Sequence, residues 1–204
     1  MGAGRHVCSV FSTKYFVDIL RGMPSGRKDV ISKYGFEPLL KFEKTDIPSR
    51  FVRYIVECVD TVSSQIIVTD EKIIPISKDS VPCVLGLLDS GDLATQDKDS
   101  GRNFILSRFS LTEMPNITFF GDMLISSDFH SEEGTFICFM VIAMSCFLFP
   151  SSSDQIHIEF LTLLVNPKRT SGFDFCALVY DWILTGINKF VISGRVPGRK
   201  PEVF

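Results

Sequence analysis

Apolar side chains recur at three- and four-residue steps through much of this chain, and the interval shortens to a strand-like pattern near residue 65. Tyr15, Phe16, Ile19 and Leu20 share one helical face while Lys14, Asp18 and Arg21 lie away from it. This pattern predicts a short helix capped by Ser12. A second helix from about Ser25 turns Val30, Ile31 and Tyr34 inward. It ends at Gly35, which is free to turn left-handed while Phe36 folds back on the last turn. Phe36-EPLLKF is then a short apolar link. After Pro48, residues Phe51, Val52, Ile55, Cys58 and Val59 form a further stripe, with Arg50, Arg53 and Glu57 on its wet side.

Gln65-IIVT and Lys72-IIPI are rich in β-branched residues around a short turn and predict a hairpin, with Pro75 confining its strand to an edge. Ser77 is expected to cap a short helix running toward Leu87, with Pro82 near the limit of its first turn and Gly86 and Gly91 at its exit. The polar run from Asp89 to Arg102 reads as a loop. From Phe136 to Phe149 the chain is apolar apart from Ser145, about 14 residues where a bilayer span needs roughly 20. Acidic Glu132 and Glu133 precede this run and Pro150 ends it, so a buried core helix is expected and a membrane segment is not. A helix through Ile158, Leu161 and Leu164 follows, ending before Pro167. The last helix carries Phe175, Leu178, Val179, Trp182, Ile183, Ile187, Phe190 and Val191 at helical spacing.

The resulting fold class is mainly α, a single helical domain over residues 12–193 with a small β-hairpin around residues 65–76. Residues 1–11 form a flexible N-terminus in this reading, and 194–204 a basic Gly/Pro-rich tail. Composition agrees: 204 residues, 45% hydrophobic and 22% charged, are enough for one well-filled core. Net charge is −3, so no general basic field exists to hold nucleic acid by counterion release. The local exception is Lys189, Arg195, Arg199 and Lys200, whose three or four charges could make weak, salt-sensitive phosphate contacts. Six scattered cysteines without a CxxC pair point to reduced thiols in an intracellular protein.

Candidate chemistry is sparse. GxxxxGK[ST], GxGxxG and HExxH are all missing from the sequence. His157, between two isoleucines, reads as structural or surface, and His6 falls in the N-terminus. Asp128, His130, Glu132 and Glu133 are close enough in sequence to ligate a divalent ion, but acidic residues ahead of a helix also answer its dipole. Asp97-KDSG opens like a calcium loop, yet Arg108 occupies the position where the bidentate glutamate would stand. No cofactor is expected.

The order of YGFEPLL, IPSRFVRYIVECVD, the hairpin, ISKDSVPCVLGLLDSG, the apolar run ending in FLFP, and FDFCALVYDWILTGINKF resembles the plant mobile domain group. These are transposon-associated plant sequences often labelled aminotransferase-like, and related forms stand beside ubiquitin-like (SUMO) protease domains. The resemblance covers roughly residues 12 to 192. The sequence departs from the pattern at Pro82, at Leu88 where proline is common, and in the loop from Asp89 to Arg102. Pyridoxal phosphate chemistry would need a Schiff-base lysine, an acidic partner for the ring nitrogen and a phosphate cup, and no such set is recognisable. The protease constellation of His, Asp and Cys is not recognisable either.

The resemblance implies a non-catalytic interaction module of mobile-element descent in a nuclear, genome-associated setting. Its expected partner is a protein held by the exposed loop or by a groove beside the last helix, with nucleic acid secondary through the tail. Val84, Leu85, Leu87 and Trp182 are expected to be core. Two alternatives stay open: a metal-dependent enzyme acting on nucleic acid through Asp122, Asp128 and Glu132, and a relic fragment without selected activity. Oligomeric state is not legible in the sequence.

Overall fold

The computed structural model describes residues 10–43, 47–93, 97–126, 131–150 and 156–192. At its centre lies α8 (Glu132–Ala143), in which every residue from Gly134 to Ala143 is buried. A helix apolar on all sides must be covered on all sides. Helices α2 (Ser25–Lys33) and α7 (Ile117–Ile125), and the 3₁₀ segments Ile158–Leu164 and Pro167–Gly172, supply the cover. The apolar run continues beyond Ala143 as a π turn over Met144–Leu148, against which α1 (Val10–Gly22) packs. The expected buried helix is therefore present, and its last turn is wider than an α-helix.

The aromatic residues build this core layer by layer. Phe136 stacks under Tyr34 with ring centres 4.1 Å apart and touches Phe36 at 5.6 Å. Phe16 of α1 lies parallel to Phe147 at 5.5 Å, and Phe149 stacks on Phe160 at 3.9 Å. Trp182 meets Phe160 edge-on at 5.7 Å.

Several boundaries differ from expectation for identifiable reasons. Helix α1 is already under way at Val10, so Ser12 lies inside it. The expected loop from Asp89 to Arg102 ends early, because Asp97 accepts hydrogen bonds from the Asp99 and Ser100 amides and caps α6 (Lys98–Arg108). The same capping role explains the apparent start of a calcium loop. Asn116 caps α7 in the same way through the Phe119 amide. The segment through Ile158 and Leu164 is helical, but of the tighter 3₁₀ kind. Gly35 at φ 87° ends α2 as expected, with the Phe36 amide donating to the Ile31 carbonyl. A one-turn α3 (Glu37–Leu40) follows.

Helix α4 (Ser49–Cys58) runs directly into β1 (Val59–Asp60), which pairs antiparallel with β2 (Gln65–Thr69), and β2 with β3 (Lys72–Pro75). The predicted hairpin is thus present, with Pro75 on an edge strand, and β1 adds a third strand that two residues were too few to announce. The apolar stripe of α4 is not buried: Phe51 and Tyr54 are exposed, and no residue of α4 reaches full burial. Helix α5 (Ser80–Leu85) holds Pro82 at its third position, where its missing N–H would have had no helical acceptor. The last described element is α9 (Phe175–Ile192).

Candidate functional site

Lys78, ahead of α5, reaches the buried Asp174 carboxylate ahead of α9 and donates a second bond to the Asp89 carbonyl at 2.7 Å. Asp174 also accepts from the Ala177 amide at 2.8 Å, capping α9. A short parallel bridge joins Asp92 to Phe173, through Asp92 N–H to the Gly172 carbonyl at 2.8 Å and Asp174 N–H to the Asp92 carbonyl at 3.2 Å. Arg169 adds an ion pair to Asp92 at 3.1 Å. Gly91 (φ 154°) must be glycine here, since a Cβ would stand 2.3 Å from the Gly172 carbonyl oxygen. Gly86 (φ 66°) likewise lets the chain turn against Pro38, which a Cβ would meet at 2.8 Å.

Three segments therefore meet: Tyr34–Leu40, Leu85–Asp92 and Ser171–Phe175. Three clefts open along their seam. The first, about 550 Å³, is lined by Lys33, Tyr34, Gly35, Glu132, Lys168 and Ser171. The second, about 170 Å³, shares Gly35 and Ser171 with it and is walled by Phe36, Leu87, Leu88, Phe173 and Phe175. The third, about 490 Å³, shares Phe173 with the second and extends to Asp92, Leu93, Val165 and Arg169. The result is a polar end, an apolar middle with Leu88 exposed at its lip, and a charged far end.

The polar end holds its protons. Lys33 bonds Glu132 at 2.5 Å, and that hydrogen bond keeps its ammonium above the usual lysine range. Burial, then the Glu133 and Glu132 carboxylates, raises the Tyr34 phenol. At neutral pH both groups donate, and neither is a general base or an activated nucleophile. Burial likewise raises the Cys176 thiol, which donates to the Leu87 carbonyl at 3.7 Å, and pushes Cys138 up to about 12. Such thiols are inert.

Of the residues singled out in the sequence, Leu87 is buried and Leu85 and Trp182 are half-buried against the core. Val84 is not core: it is 82% exposed, because α5 is a single turn and a half whose inner face is taken by Val81 and Leu85. Val84→Lys is expected to shift stability by no more than about 0.5 kcal/mol, whereas Leu87→Ala should cost about 2–5 kcal/mol; urea denaturation of both variants checks this contrast. Lys189 is exposed near the end of α9. Arg195, Arg199 and Lys200 lie outside the described residues, as do His6, Asp128 and His130. Asp122 is exposed on α7 and acts on the Tyr15 phenol of α1, while Glu132 pairs with Lys33 of α2. Among the described residues no group of three or more His, Cys, Asp or Glu side chains is placed to hold a metal. His157 packs edge-on against Trp182 at 4.9 Å, with Nδ1 3.4 Å from Glu159 and Nε2 buried without a partner.

Sequence reasoning named a groove beside the last helix without naming its walls. Phe36, Leu88 and Phe173 carried no periodic signal, because each sits beside a glycine in a turn. Those glycines, Gly35, Gly86 and Gly172, were the available clue.

Residues 9–196 match the family described as Domain of unknown function (DUF8566). The chain belongs to that family. No curated protein and no solved structure matches it. The DUF8566 match takes in all three segments that form the seam.

Proposed function

We propose that this DUF8566 chain is a non-catalytic protein-interaction module of mobile-element descent, working in the nucleus, and that its partner lies in the groove between the α5 exit and the start of α9. The observation that carries this reading is the meeting of the three clefts at segments held together by glycine turns, a buried ion pair and a backbone bridge. A rigid wall with an apolar middle and polar ends is what an extended peptide needs: pockets for alternate side chains and fixed polar groups that set its register. Lys168, exposed at the mouth, favours an acidic residue beside the apolar anchor. The nuclear setting and mobile-element descent rest on the resemblance to plant mobile domain sequences. Nucleic acid is the secondary partner, through exposed Lys189 and the basic residues that follow it in sequence.

Peptides selected from a random display library should pair an apolar anchor with an acidic residue. Leu88→Asp should weaken the best of them at least tenfold, about 1.4 kcal/mol, in fluorescence anisotropy. Selected peptides that bind Leu88→Asp and Lys168→Glu as tightly as the native chain would remove the groove from consideration.

A further inference from the structure

Between Ile47 and Ser80 the chain carries fourteen Ile, Val, Phe and Tyr residues, yet not one residue in this stretch is fully buried. None of these side chains packs against the main core. The lobe formed by α4 and the three strands rests on α9 through contacts such as Thr61 Oγ1 to Asn188 Oδ1 at 3.4 Å and the Tyr180 hydroxyl to the Ile76 carbonyl at 3.3 Å. Side chains alternate across a strand, so a sheet packed on one side shows one buried row. In β3 neither row is buried, as Ile73 and Ile74 are both about half exposed. A set of apolar residues with no interior of its own is half of a core.

We infer that a second copy of this chain supplies the other half, forming a two-fold dimer through α4, β3 and the adjoining stripe of α9. Area supports this occupant. The exposed large apolar side chains between Ile47 and Ile74, with Ile183 and Val191 beside them, are 36% to 95% exposed. At about 150–200 Å² for a fully exposed large side chain, they leave roughly 800 Å² of apolar surface, the share one partner gives to a standard interface. Charge selects the copy over other occupants. Exposed Arg50, Arg53 and Lys72 are matched in number by exposed Glu57, Asp70 and Glu71. A copy of the same face can meet each sign with its opposite, whereas nucleic acid or an anionic bilayer would be opposed by half of them. The contact uses faces and not the β3 edge, since Lys72 and Pro75 blunt a four-residue strand against pairing. A two-fold arrangement is also the commonest way for one patch to satisfy itself.

Analytical ultracentrifugation from about 1 to about 100 µM tests this. The native chain should reach twice its 22.9 kDa mass. A Phe51→Asp, Ile74→Lys variant should stay monomeric with unchanged far-UV circular dichroism, and groove variant Leu88→Asp should still dimerise. Hydrogen exchange on the native chain gives a second reading that needs no variant: protection of residues 51–54 and 73–76 should rise with concentration. A native chain that stays at 22.9 kDa throughout, a double variant that dimerises normally, or protection indifferent to concentration would overturn the dimer. So would a monomer that floats with phosphatidylcholine and phosphatidylserine vesicles. That outcome would assign the face to lipid, and α9 is the one described helix long and apolar enough by composition to cross a membrane.

Discussion

Phe136→Ala is expected to lower stability by about 3–5 kcal/mol, a large part of what a domain of this size has to spare. Phe136 is fully buried on α8, stacked beneath Tyr34 and tilted against Phe36, which in turn meets Phe175 edge-on at 5.3 Å. Removing its ring takes away the transfer free energy of a large side chain and leaves a space that neighbouring rings held by α2, α3 and α9 cannot close. Phe136→Leu keeps most of the volume and should cost roughly 1–2 kcal/mol. Chemical denaturation midpoints for the two variants separate the cavity from the loss of aromatic stacking. Equal costs would mean that the space collapses and that the stacked ring adds little.

Gly101→Ala should be nearly as damaging, at roughly 3 kcal/mol, although it adds a single methyl group. Gly101 lies in the first turns of α6, a position where alanine normally favours a helix. Here a Cβ would stand 2.5 Å from the Thr162 nitrogen and 2.6 Å from the Leu161 carbonyl carbon. Both are backbone atoms of the 3₁₀ segment, so no side chain can swing aside. The substitution must push α6 off the core. Gly26→Ala is the control: its Cβ meets nothing within 4 Å, and propensity should make it neutral or stabilising. Thermal melts should place the two variants on opposite sides of the native chain.

The central helix and the hairpin were legible because each rests on a pattern local to a dozen residues: an unbroken apolar run closed by Pro150, and two β-branched runs around a turn. Helices α6 and α7 were not. Asp97 and Asn116 looked like loop residues, and only the observed amide bonds identify them as caps. The sequence also made α4 a core helix. Its stripe is real, but amphipathicity says that a face will be covered without saying by what, and in this chain the cover is not the main core. The groove was legible only as a neighbourhood, because Lys78 and Asp174 lie 96 residues apart and their meeting is a property of the fold. Val84 shows the converse limit: an apolar residue in an apolar signature whose helix is too short to turn it inward.

The separation of Lys78 from Asp174 also bears on how the chain is made. Until Asp174 and the start of α9 have left the ribosome, the α5 exit has nothing to close against, and the Ile158–Leu164 segment that covers α8 is only just emerging. At about 5–20 residues per second, the interval between synthesis of Phe149 and of Tyr180 is roughly 2–6 s. Throughout it, the most apolar stretch of the nascent protein waits with one side uncovered, and that is when a chaperone has something to hold.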